Sequence, residues 1–220
     1  MTSQEIIDAA RNQYSAVGDS FWSDAELFDL LYKYCNELAL ETDIIESVDS
    51  STTTVSGTRT YAFPTRLIKP VKVFWNGTPL TKIDFRGDSQ ITGSDEDTTD
   101  TGTTTHYFFW NNTFYLRPIP NAAYTLKVFG YFEHIRVTAA TSISIPTAFH
   151  MHLVDPIVGQ MFGKDSNASL ARYYRELWEA PNSGTKAKIR QWLKKKQRGD
   201  SNARVKTEEN DIPSNILGVT

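Results

Sequence analysis

The chain has 220 residues, a formal net charge of −3 and 12% aromatic residues. That length suffices for one large domain or two small ones around a buried core. No apolar run reaches the roughly eighteen residues of a membrane-spanning helix, and the single cysteine, Cys35, has no partner for an internal bridge.

The opening stretch MTSQEIIDAARNQ has neither the basic start nor the apolar run of a secretory signal, so a reducing cytoplasm is the expected place of synthesis. Charge is unevenly spread. Residues 94–105, SDEDTTDTGTTT, are acidic and polar, whereas residues 186–198, KAKIRQWLKKKQR, are basic without one acid.

Thr2 and Glu5 have the spacing of a capping box, and Ile6, Ala10, Tyr14 and Val17 follow on one helical face, with Gly18 as the expected stop. Ser23 and Glu26 repeat the box, Trp22 and Leu27 can staple it, and Leu27, Leu30, Leu31, Tyr34 and Leu38 form a stripe. The spacing predicts a helix over 23–42. From Ser47 the period changes to strands: Ser50 to Ser56, Arg59 to Phe63 with Pro64 ending it or placing it at an edge, Val71 to Trp75, and Thr78 to Ile83. Asn76-Gly77 is the preferred pair for a two-residue hairpin turn, and Asn111-Asn112 sits in a similar setting between HYFFW and TFYLR. Ala123 to Phe132 closes an expected antiparallel meander of six or seven strands. Helix returns near Pro146, with Phe149, Leu153, Ile157 and Met161 on one face, a kink expected at Pro156 and a stop at Gly163. Residues 167–180 read as another helix with Leu170, Tyr173, Tyr174 and Leu177 inward, and a basic amphipathic segment carrying Ile189, Trp192 and Leu193 follows.

The fold class read from this order is α+β: a helical bundle of two N-terminal and two C-terminal helices, an inserted antiparallel β-meander, and an extended tail. The expected domains are 1–46 and 144–198 for the bundle, 47–143 for the β-domain and 199–220 for the tail.

Motifs for chemistry are few. The sequence has no phosphate-binding glycine loop and no nucleophile elbow. His150 and His152 would point about 200° apart on a helix and so do not read as a metal pair. Asp95, Asp97 and Asp100 lack the glycine and glutamate of a calcium loop. No cofactor, metal or catalytic residue is expected. Two features stand out instead. Lys186, Lys188, Arg190, Lys194, Lys195, Lys196 and Arg198 form a basic segment suited to DNA or to an acidic protein surface. Ile212, Pro213, Ile216, Leu217 and Val219 make the last residues unusually apolar.

The order helix, helix, strands, helix, helix resembles the head-to-tail adaptor (connector) proteins of tailed bacteriophages, especially the podovirus-type tail adaptors. The likeness runs through GTRTYAFP, KPVKVFWNGTPLTKI, YFFWNNTFYLRPIPNAAYTLKVFGYF, IPTAFHMHLVDPIVGQMF and LARYYRELWEA, and covers roughly residues 1–180. It implies a structural virion protein, not an enzyme, made in the host bacterial cytoplasm and placed at the portal–tail junction. It implies a ring, usually of twelve copies, that binds the portal and the next tail component (nozzle or tail tube). The ring would leave a channel for transient contact with DNA and would involve no membrane. On that reading Trp75, Asn76, Trp110, Asn111 and Asn112 dock the tail component. The basic segment faces portal or DNA, and the apolar tail anchors on the portal. The rival reading is a carbohydrate- or receptor-binding module with Trp75, Trp110 and Tyr115 as stacking platforms on the sheet. A hydrolase with unpatterned carboxylates and a nucleic-acid-binding regulator using the basic helix are further alternatives.

Overall fold

The structure, a computed structural model, describes residues 1–15, 21–84 and 100–196. It is α+β, and it divides into two compact units, residues 1–34 with 137–220 and residues 35–136.

In the first unit, α1 (Ser3–Tyr14) starts with the predicted capping box: Thr2 accepts from the Glu5 N–H, and the Glu5 carboxylate accepts from the Thr2 N–H at 2.9 Å. The helix stops at Ser15, whose φ of 65° is left-handed; the expected stop at Gly18 and the stripe position Val17 lie outside the described residues. The buried Ser3 hydroxyl ties this start to the carbonyl of Thr141 at 2.8 Å. α2 (Asp24–Thr42) begins the same way, with Ser23 and Glu26 capping each other reciprocally. Trp22, Leu27, Leu31, Tyr34 and Leu38 are buried, as the stripe predicts.

The helix expected from Pro146 is different. Two short 3-10 turns, Thr147–Phe149 and Met151–Leu153, precede α3 (Val154–Lys164). Pro156 is therefore the third residue of α3. N–H groups of a first turn have no acceptor within the helix, so proline removes nothing there and the expected kink has no cause. Phe149, Leu153, Ile157 and Met161 are all buried. α4 (Ala168–Glu179) is capped by Asn167, whose side chain accepts from the Leu170 N–H. It packs along α3, with the Phe162 and Tyr174 rings stacked at 5.7 Å. A last helix, α5, covers 185–196.

The second unit holds ten strands among the described residues: β1 (Glu46–Thr53), β2 (Thr60–Ala62), β3 (Leu67–Trp75), β4 (Thr78–Pro79), β5 (Thr81–Lys82), β6 (Thr101–Gly102), β7 (His106–Trp110), β8 (Thr113–Arg117), β9 (Ile119–Pro120) and β10 (Thr125–Phe132). They form two four-stranded sheets, β1-β10-β3-β4 and β2-β8-β7-β5, and one small parallel pair, β6-β9. This corrects the expected single meander. The last strand inserts between the first and the third, because its alternating Leu126 and Val128 are needed opposite Trp75 and Val73. The stretch Thr78 to Ile83, expected as one strand, splits at the buried Leu80, with β4 in one sheet and β5 in the other. Val73, Trp75, Leu126 and Val128 of the first sheet share one core with Tyr61, Tyr107, Phe114 and Leu116 of the second. β2 is an edge strand, consistent with Pro64 after it.

Candidate functional site

α5 is positioned by a tight turn at Gly184. A Cβ on Gly184 would meet the Ala180 nitrogen at 2.6 Å and the Trp178 carbonyl oxygen at 2.9 Å, so a larger residue could not close it. The helix buries Ala187 and Ile189, and the Trp192 ring rests edge-on against Phe149 at 5.5 Å. Lys188, Arg190, Lys194, Lys195 and Lys196 are exposed and point to several sides of this basic helix rather than to one face. Lys186 departs from them: the residue is 9% exposed and its ammonium sits 5.8 Å from the Trp178 ring centroid. Its apolar stem belongs to the core and its charge is turned to an aromatic face. Arg198 lies outside the described residues, as do Ile212, Pro213, Ile216, Leu217 and Val219.

α4 reverses another expectation. Leu170 (38% exposed), Tyr173 (54%) and Leu177 (38%) face outward, and Trp178 is its buried residue. α3 covers only one flank of the apolar arc. The approach there is close: a Cβ on Gly159 would stand 3.0 Å from Tyr174. The uncovered flank runs the length of the helix at i, i+3 and i+7.

The two hairpin tips share a backbone and differ in side chains. Asn76 and Gly77 have φ of 50° and 75°, and Asn111 and Asn112 have 46° and 56°, the positive pair of a type I′ turn. All four residues are exposed. Trp110 beside the second turn is 60% exposed, but Trp75 beside the first is 2% exposed and donates its indole N–H to Thr54 at 3.0 Å. Trp75 is thus a core residue, and the docking role expected for it does not hold. The stacking-platform reading fails with it. Trp75 belongs to one sheet and Trp110 and Tyr115 to the other, and Tyr115 is already stacked on Phe108 at 4.7 Å.

The outer face of the first sheet was not anticipated. On β10 the residues between the buried ones are Lys127, Phe129 and Tyr131; Lys127 pairs with Phe74 of β3, and Phe129 with Lys72. The signal was present in TLKVFGYF, where Phe129 and Tyr131 occupy the positions a half-buried strand gives to polar residues.

Among the described residues no group of three or more His, Cys, Asp or Glu could hold a metal ion. A cleft among Tyr34, Pro156, Gly159 and Trp178 has about 30 Å³ of room, and a more open one lined by Trp22, Glu26, Asp29, Leu30, Gln160 and Lys164 has about 380 Å³. His150 is buried, bonded through Nε2 to the Ile145 carbonyl at 2.6 Å. Burial pushes the Asp155 carboxyl up, opposed by the charge of His152, a hydrogen bond from Gln13 and the charge of Lys188. These are structural neighbours of packed helices.

The described residues offer surfaces: an exposed basic helix, a partly exposed apolar helix flank and an exposed tryptophan at a hairpin tip. The model of one family, SU10 adaptor protein, matches residues 1–205. The chain belongs to the SU10 adaptor family. This is a phage head–tail adaptor family, so the resemblance read from the sequence holds. No curated protein matches the chain. Membership of the SU10 adaptor family makes it a phage structural adaptor that assembles with other virion components and resides in the virion. No helix among the described residues is long and apolar enough to cross a membrane.

Proposed function

We propose that this SU10-family adaptor forms a ring, with twelve copies as the expected number, that connects the portal to the next tail component and leaves a channel for DNA. The observation that carries the reading is the uncovered flank of α4, Leu170, Tyr173 and Leu177, in a chain of an adaptor family. A ring needs a heterologous interface that closes by rotation, and an exposed apolar helix flank is suited to one side of it.

Full burial of a large apolar side chain contributes about 1.5–3 kcal/mol. These three are already partly covered, so the flank supplies only a few kcal/mol, against an association cost of about 4–15 kcal/mol. The free chain should then remain monomeric, and the ring should close where a portal holds many copies together. The exposed lysines and arginine of α5 suit an acidic portal surface or the DNA that passes, and Trp110 with Asn111 and Asn112 suits the next tail component.

The test is negative-stain microscopy of the chain mixed with the portal encoded beside it, with the chain alone as control. A new ring layer on the portal is the expected result, and its subunits can be counted. No added density at concentrations well above micromolar would overturn the proposal.

A further inference from the structure

The outer face of the β1-β10-β3-β4 sheet has an unusual composition for a solvated surface. Lys127 and Phe74 are opposite each other on β10 and β3, and so are Phe129 and Lys72. Two phenylalanines and two lysines thus alternate on the corners of a square, the rings 5.4 Å apart along one diagonal. Val48 of β1 extends the square on the far side of Phe129, and Val48 and Phe129 are 49% and 43% exposed. The Lys72 ammonium stands 5.2 Å from the Phe74 ring centroid. A face that is both apolar and cationic suits an occupant that is both apolar and anionic.

Such an occupant exists in the same sequence. Residues 207–220, TEENDIPSNILGVT, contain Glu208, Glu209 and Asp211, no basic residue, and then Ile212, Ile216 and Leu217. The twelve residues 197–208 that lead to it from the end of α5 can span up to roughly 40 Å when extended. We propose that residues 207–217 of one copy dock on this sheet face of the next copy, the acids on Lys72 and Lys127 and the aliphatic residues on Phe74, Phe129 and Val48. The inference rests on the ring reading for a neighbour to stand within reach, and it moves the apolar tail from the portal, its expected anchor, to the ring itself. A strap passed from copy to copy adds a second contact at each joint, and a contact within an assembly gains from effective concentration without needing to be strong alone.

The test uses the full chain with a benzophenone-bearing phenylalanine in place of Ile216. Half of the chains are isotopically heavy, so that mass spectrometry separates cross-links within a chain from those between copies. Irradiation is done on the portal mixture, with the free chain at micromolar concentration as the control. Cross-links between copies to peptides of β1, β3 and β10 are expected. Their yield should fall at least tenfold in Lys72→Glu with Lys127→Glu, and return when Glu208→Lys and Glu209→Lys are added. In the unaltered chain the yield should also fall as salt rises from 50 mM to 1 M, which serves if the reversed chain folds poorly. Cross-links confined to one chain, cross-links to other surfaces or to the portal, no cross-links, or a yield indifferent to both charge reversal and salt would each overturn the inference. Microscopy of the same mixture reads the ring independently: a ring without these cross-links leaves the proposed function standing, and these cross-links without a ring would do the reverse.

Discussion

Single residues in this chain are held by local chemistry strong enough to be read in titrations. Glu26 accepts from the Lys164 ammonium at 2.9 Å and from the backbone and hydroxyl of Ser23, and these hold its carboxyl down to about 2 from an ordinary 4.5. The folded-state value is depressed, so the stability it confers is present above pH 4.5 and is lost as pH falls through about 2. Replacing Lys164 by methionine should move the Glu26 midpoint back toward 4.5, as read by NMR titration of the carboxyl carbon. Gly130 is constrained by sterics. A Cβ there would meet the Lys69 carbonyl oxygen at 2.5 Å and Leu67 at 2.8 Å, beside a bulge in the β3–β10 pairing. Gly130→Ala should therefore cost about 1–3 kcal/mol in urea unfolding, as overpacking does. Gly102→Ala, whose nearest neighbour would be Pro118 at an ordinary 3.7 Å, should cost far less.

At the scale of elements, the ends are better specified than the faces. Both N-terminal capping boxes, at Thr2 with Glu5 and at Ser23 with Glu26, form as their spacing predicts, because the bonds join residues three apart. Ser23→Ala should cost α2 about 1 kcal/mol, visible as a lower midpoint in chemical unfolding with an unchanged slope. The hairpin turns at Asn76-Gly77 and Asn111-Asn112 were legible for the same reason, since positive φ is a property of the turn residues themselves. Faces depend on what lies opposite. The periodicity of α4 correctly marked Leu170, Tyr173, Tyr174 and Leu177 as one apolar arc, but α3 reaches the flank around Tyr174, and Tyr34 of α2 meets the buried Trp178. Trp75 was misread in the opposite direction. A tryptophan beside a hairpin turn looks accessible in sequence, yet here it packs edge-on against Tyr124 at 4.9 Å in the shared core.

For the molecule as a whole, the proposed function rests on what remains exposed. A phage structural adaptor acts by joining other components, and the α4 flank is one exposed apolar surface among the described residues of its helical unit. Tyr173→Ser with Leu177→Ser should leave the thermal midpoint of the free chain nearly unchanged, because both side chains face solvent there. The same pair should lower the fraction of portals that carry a ring layer in micrographs by at least tenfold. A thermal midpoint that collapses would show instead that these residues hold the fold.

The sequence by itself determined where the capped helices α1, α2 and α4 begin, where hairpins turn, the α+β class and the family, since each rests on neighbours in the chain or on their linear order. Tertiary structure alone decided the strand order, with β10 between β1 and β3, and the placing of Pro156 in a first turn where it does no harm. It also decided which apolar residues stay uncovered: Trp75 inside, Trp110, Phe129 and Tyr173 outside. Local bonds depend on spacing along the chain, whereas burial depends on partners far away in it, and those partners exist only once the sheets and helices have packed.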